Sequence, residues 1–448
     1  MVKRSLQKPT GAVRVKAAKV SHHKDKVGPD AIDKMANQEL SEEQRALKER
    51  IFSFCRENLS NDITTKKPAM FVIQGDAGTG KSVILNSLFN DLQKTAKTGK
   101  LATDPLVGSE NYLVVNHPEM LKLYHRIASG FPYLTKRELE RPTSLINRLQ
   151  KERKMADVIL VDEAHLLASS KDAFKRFFQE NHLEELMKLA RVLVVVFDDK
   201  QSLRMGSYWN LGDSSKGSEN GASLSTYLAR AALHETHNLK QQFRVVAEKD
   251  MQDWIREIST TKKILPHPKL DQQKRDQGLD GFDFRIWDDA QAMYEAIQQK
   301  DNEFGQCRIL ATYDFPYRLD GKDYFVTCDG FRLRWDRYTP QVQTPWSERP
   351  DTIEEVGSVY TIQGFDLNYV GIILGKSIGY DEEKDEIKIR PEFHDDHAAF
   401  TRKKNITQAD EAKEKIILNS LNVLLTRGVK GLYICAYDPA LRKRLREC

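Results

Sequence analysis

Apolar residues arrive along this chain in short unbroken runs rather than in strict alternation. "KPAMFVIQG" ends at Gly75, and "YLVVN" (112–116), "DVILVD" (157–162) and "RVLVVVFDD" (191–199) follow it. Such runs are how strands buried on both faces read. Helix-length segments separate them, among them "KSVILNSLFNDLQKTAK" (81–97) and "AFKRFFQENHLEELMKLA" (173–190). Strands alternating with helices predict an α/β fold with a doubly wound parallel sheet. Ahead of the first strand, Leu40, Ala46, Ile51 and Phe54 mark a helix, with Ser41 as its cap.

A glycine- and serine-rich stretch, "GDSSKGSENGA" (212–222), predicts a loop, and a helical segment is expected through "KQQFRVVAEKDMQDWIREI" (240–258). A second alternating set then begins. "FDFRIWDDAQAMYEAIQQK" reads as strand then helix, and "CRILATYD", "VGIILG" and "GLYICAYD" read as strands. "KDYFVTCDGFRLRWDRY" alternates like a hairpin turning at Asp329-Gly330. The economical division is a basic disordered tail over 1–35, a first α/β domain over 36–264 and a second over 265–448.

Composition narrows the class. With 448 residues and 40% hydrophobic content, the chain can build real cores. No apolar run reaches the roughly 20 residues of a membrane span, and "MVKRSLQKPT" lacks the apolar middle of a secretory signal, so no membrane partner and a cytoplasmic location are expected. The five cysteines show no CxxC spacing, which argues against a zinc site or a disulfide framework. Residues 1–30 hold eight Lys or Arg against two Asp, so the net charge of +5 is concentrated in the tail. A polybasic arm of that kind adds salt-sensitive affinity for phosphates.

The chemistry is carried by "GDAGTGKS", Gly75-Asp76-Ala77-Gly78-Thr79-Gly80-Lys81-Ser82, which fits the GxxxxGK[ST] phosphate loop at every required position. Glycines let backbone N–H groups curl around phosphates, Lys81 neutralises their oxygens, and Ser82 ligates magnesium at a helix N-terminus. "VILVDEAHLL" then supplies the partners: Asp162 for Mg²⁺ and Glu163 to polarise the attacking water. His165 either couples this site to a neighbouring strand or caps a turn. Further polar positions stand in the order a two-lobed NTPase needs. Gln44 could read an adenine edge, Asp198 and Gln201 could sense the γ-phosphate, and Phe243 could stack on a base. Arg244, Gln363 and Arg427 complete the set, the last two from the second half.

Taken together, these motifs look like a superfamily 1 helicase core. The wording "ATYD", "VYTIQGFDLNYVGIILG" and "NVLLTRGVKGLYI" is similar to the bacterial Schlafen group 3-like DNA/RNA helicase domain family, over about residues 40–445. The resemblance implies a P-loop NTPase of two RecA-like domains with ATP and Mg²⁺ in the cleft between them. It carries Gln44, Lys81, Ser82, Asp162, Glu163, Gln201, Arg244, Gln363 and Arg427 over as matching positions. The expected activity is an ATPase acting as a helicase-like motor on single-stranded DNA or RNA. The alternative is a nucleotide-dependent switch that binds ATP and a protein partner without translocating.

Three other clusters invite chemistry. "HDDH" (394–397) is read as a solvated loop in preference to a metal site. "HETH" (234–237) is not a zinc-protease motif, because Asn238 stands where the second histidine must be. In "FRLRWDRYTPQVQTPW", Trp335, Tyr338 and Trp346 interleave with Arg332, Arg334 and Arg337; such residues stack single-stranded bases or pack a hairpin with its arginines in water.

Overall fold

The computed structural model describes residues 39–60, 67–75, 78–171, 177–212, 222–239, 249–268, 281–318, 320–336, 341–401 and 406–447. The basic tail, most of the glycine-serine stretch, Asp76, Ala77, Phe243, Arg244, Arg337 and Tyr338 lie outside them.

The first half is built on β1 (Ala69–Gly75), β2 (Asn111–Val115), β3 (Leu139–Glu140), β4 (Ala156–Asp162) and β5 (Ala190–Phe197). A minor pair, β6 (Trp209–Asn210) and β7 (Ala222–Ser223), precedes β8 (Leu233–Leu239). The main sheet runs β3-β2-β4-β5-β1-β8, and all its pairings are parallel. Burial on both faces explains the unbroken apolar runs. Phe71, Ile73, Val158, Leu160, Val192 and Val194 face one core, while Met70, Val72, Ile159, Val161, Leu193 and Val195 face another. Each such side chain contributes about 1.5–3 kcal/mol by leaving water.

The second half follows with β9 (Asp283–Trp287), β10 (Arg308–Ala311), β11 (Phe325–Cys328), β12 (Phe331–Trp335), β13 (Glu355–Gly357) and β14 (Leu367–Leu374). After a small hairpin, β15 (Ile378–Asp381) with β16 (Glu386–Ile389), comes β17 (Gly428–Ala436). Its sheet runs β11-β12-β13-β10-β14-β17-β9, antiparallel only between β11 and β12. Asp329 and Gly330 turn that hairpin with φ of 45° and 88°. The expected α/β class with parallel sheets is therefore present.

Local expectations fail where a cap or a sheet pairing overrides periodicity. The helix expected over 173–190 is His182–Leu189 in the described residues, started by Asn181, whose side chain accepts from the Glu184 N–H. The helix Lys249–Thr260, grouped above with the first domain, packs on the second sheet. Trp254 stands 5.0 Å from Phe284 of β9 and donates from Nε1 to the Leu265 carbonyl, and Ser259 bonds to Asn422.

One apolar core is continuous across both halves. They also meet through Met120 and Gly364, whose φ is 87° and where a Cβ would stand 2.5 Å from the Met120 sulfur. Gly364→Ala should cost about 1–2 kcal/mol in backbone strain alone, before Met120 moves. A urea titration checks this; an unchanged midpoint would show that this contact is not constrained.

Candidate functional site

The phosphate loop joins β1 to the helix Lys81–Thr98. Gly78 and Gly80 take φ of 86° and 76°, left-handed values that glycine adopts without penalty and that turn the chain back over the helix start. No acidic residue occupies the first turn of that helix, so its positive end is left for an anion.

Lys81 is buried; its Nζ donates to the Gly75 carbonyl at 2.6 Å and stands 3.4 Å from Asp198 Oδ2. Gln201 Nε2 donates to the same Asp198 oxygen at 2.7 Å. The structure thus gathers Lys81, Asp198 and Gln201 around one point. Gln44 is placed differently from a group reading a base. It is 3% exposed, its Oε1 accepts from the Ser41 N–H at 2.9 Å, and its Nε2 donates to the Thr79 carbonyl at 3.3 Å. It caps its own helix, as Ser41 does, and braces the phosphate loop.

At the end of β4, the Ser82 hydroxyl donates to Asp162 Oδ1 at 3.2 Å, and the Tyr124 hydroxyl donates to Oδ2 at 2.7 Å. Burial, reinforced by the charge of Glu163, pushes the Asp162 carboxyl up to about 6. Burial acts on Glu163 in the same direction, but His165 and Lys81 outweigh it and hold that carboxyl below its usual range. Tyr124 was not singled out from sequence. The helical spacing of Met120, Leu123, Tyr124 and Ile127 puts it on an inward face, but nothing in the spacing shows that this face meets Asp162.

His165 does more than cap a turn. Its Nε2 lies 2.9 Å from Glu163 Oε2 and 3.1 Å from Gln363 Nε2, so it joins the acidic pair to the second half. Gln363 also donates to the Gln201 carbonyl at 3.4 Å. Arg427 is fully buried, donating to the carbonyls of Val423 and Phe365 and to the Thr426 hydroxyl. Those bonds hold it within the second half.

A second bridge was missed from sequence. Burial lowers the His117 imidazole to about 4, so it is neutral; its Nδ1 accepts from the Met120 N–H and its Nε2 reaches the Tyr360 carbonyl at 3.1 Å. Pro118 at the first helical position was the available signal. Beside it, the Arg204 guanidinium lies 4.1 Å over the Tyr360 ring and donates to its hydroxyl.

One expectation needs correction. "HDDH" is not solvated: His394 and Asp396 are buried, and Asp396 accepts from the Tyr360 hydroxyl. Among the described residues no group of three or more His, Cys, Asp or Glu is placed to hold a metal ion. Of the two readings of the aromatic–arginine stretch, packing is the one present: Trp335 and Trp346 are 1% and 3% exposed. Trp335 supports Tyr313, ring centroids 5.4 Å apart, while Arg334 pairs with Glu355 and Arg332 covers Phe325. The pleat of β12 decides this by turning Trp335 inward. "HETH" lies on the edge strand β8. The four described cysteines are buried and unpaired, and no described helix is long and apolar enough to cross a membrane.

Comparison with known proteins adds the following. The Structure of C. elegans PCH-2 is matched at TM-score 0.24 and 11% identity over 53% of each chain. The Structure of Drosophila ORC bound to DNA is matched at TM-score 0.22 and 15% identity, over 42% of this chain and 48% of that one. Scores this low add nothing to the reading of fold or function. The Saccharomyces cerevisiae protein named Uncharacterized protein YPL245W is 61% identical over 427 residues, covering 94% of this chain and 93% of that one. That relative is fungal, so it lends no support to a bacterial attribution. The family model for Schlafen group 3, DNA/RNA helicase domain, matches residues 68–438. With most of its length matched, the chain belongs to the Schlafen group 3 DNA/RNA helicase domain family.

Proposed function

We propose that the chain is an ATP-hydrolysing, helicase-like motor of two RecA-like lobes that acts on single-stranded DNA or RNA. The observation that carries this reading is the Ser82–Asp162–Glu163 cluster standing against a glycine loop and a helix N-terminus. The donor set fits Mg²⁺: a hydroxyl beside a buried carboxyl, the latter raised by burial and a neighbouring negative charge that a cation would relieve. Ser82 and Asp162 would hold the ion, which when bound draws charge from the transferring phosphoryl group.

The protein's own groups divide the remaining work. The N–H groups of the loop from Gly75 to Ser82 cradle phosphates, and Lys81 exchanges the Gly75 carbonyl for a phosphate oxygen. Glu163, held ionised, orients and polarises the attacking water. Asp198 and Gln201 sense the γ-phosphate next to Lys81, and Gln363 reports it to the second lobe. Arg244 and Arg427 are the candidate arginines for the transition state. Arg427 must first leave its carbonyl partners, which ties its action to lobe closure. Gln44 supports the loop from behind, and Phe243 is the candidate base-stacking residue.

The test is the ATPase rate at low salt with and without single-stranded DNA and RNA, using Lys81→Ala as the blank. Stimulation of about tenfold is expected from an ordinary coupling free energy. Turnover that ignores both polymers would leave the nucleotide-dependent switch with a protein partner. Turnover no higher than the blank would remove the ATPase itself.

A further inference from the structure

A cavity of about 340 Å³ opens between the carboxyl ends of the two sheets. Its walls come from the segments that follow β2, β3, β4 and β5 on one side and β10, β12 and β13 on the other. Four cations, Lys122, Arg141, Arg204 and Arg349, line it beside two carboxylates, Glu119 and Asp336; Lys122, Arg204 and Arg349 are each paired with a carboxylate, Glu119, Asp396 and Asp351. Three tyrosines, Tyr313, Tyr317 and Tyr360, add flat faces, and Trp346 closes the floor over Gly357. Guanidinium groups, aromatic faces and amides in one cleft suit a phosphate, a base and a sugar. The volume lies at the small end of ligand cavities and holds one nucleotide-sized unit, not a duplex.

Gln363 is part of this wall, only 1% exposed, and its Oε1 has no hydrogen-bond partner. Its other amide atom, Nε2, faces His165 Nε2, and the same ring nitrogen faces Glu163. Glu163 Oε2 makes no well-angled hydrogen bond despite the 2.9 Å approach. One ring nitrogen cannot satisfy an amide and a carboxylate together, so the three side chains have two mutually exclusive arrangements.

Building on the motor reading above, we propose that Gln363 and His165 form a relay that reports occupancy of this cavity by one unit of a single strand to Glu163. An occupant that engages the Gln363 amide draws it away from His165. The imidazole is then left with Glu163 alone and fixes its carboxylate toward the attacking water. Gln363 and His165 act here as positioning residues, and the cavity is the strand's sensor.

The two ends of the relay give opposite results. His165→Ala should bring the strand-stimulated rate down to within about twofold of the basal rate. Gln363→Ala should bring the basal rate up toward the stimulated one, because His165 has lost its competing partner. His165→Gln should restore part of the stimulation. Anisotropy of a labelled oligothymidylate should show binding retained within about threefold in all three variants. Tyr317→Ala should weaken that binding about fivefold or more, as loss of one stacked base does. Unchanged stimulation in both alanine variants, or basal and stimulated rates falling together in Gln363→Ala, would overturn the relay. Undiminished binding by Tyr317→Ala would place the strand elsewhere and overturn the sensor. A wild-type rate that ignores the oligonucleotide would reject the motor reading itself, and is recognised before any variant is made.

Discussion

Glu163→Gln should lower the steady-state ATPase rate by about two to four orders of magnitude, the usual worth of a positioned base. Nucleotide affinity should stay within a few-fold, because in the proposed function the phosphate contacts are assigned to the loop and Lys81. The substitution is close to isosteric, and it keeps the side chain at a backbone position with φ of 49°, so the geometry of the turn is preserved. What changes is charge. His165 and Lys81 hold the Glu163 carboxyl below its usual range, so it is ionised at neutral pH, and an amide there cannot polarise water in the same way. Removing that charge should also let the Asp162 carboxyl fall back toward its ordinary range, since Glu163 is one cause of its rise. Fluorescent-nucleotide binding together with single-turnover hydrolysis separates these effects. Undiminished hydrolysis would move the base to another residue.

The largest effect on stability is expected from Trp254→Ala. Trp254 is 1% exposed, lies edge-on to Phe284 and donates to the Leu265 carbonyl. Its loss should cost about 3–5 kcal/mol, as truncation of a fully buried large aromatic does. The cost should fall on the unit containing β9 and β17, because that is where the helix Lys249–Thr260 packs. Urea unfolding read by a probe in each half checks the magnitude and the location. A loss below about 1 kcal/mol would mean that the helix is only loosely attached there.

How legible all this was depends on how local the information is. The strands that carry the site were readable because burial on both faces forces unbroken apolar runs, and β1, β4, β5 and β14 stand within a residue or a few of where those runs lie. The turn into the helix Lys81–Thr98 was readable because Gly78 and Gly80 answer to one local requirement, a left-handed backbone. Side-chain partners across the fold were not. Gln44 was expected to face a base, yet a capping hydrogen bond and the Thr79 carbonyl take both ends of its amide. Trp335 and Trp346 could be read as stacking groups or as hairpin packing, because aromatic residues interleaved with arginine read alike on a surface and in a core. Only the pairing of β12 with β13 shows which way Trp335 turns. The buried state of His394 and Asp396 depends on Asp314, Tyr360 and Arg204, all distant in sequence, so no local pattern could announce it.

The order of strands also has a consequence during synthesis. The first sheet is complete in sequence once β8 has been made, so it can close while the chain is still growing. The second sheet cannot, because β9, its first strand, pairs only with β17, its last. Until β17 arrives, the edges of β9 and β14 that it will occupy lack their neighbour. That interval is when a nascent chain is most exposed to aggregation and to chaperones. A ribosome stalled before β17 would therefore display a finished phosphate-loop half joined to an unfinished one.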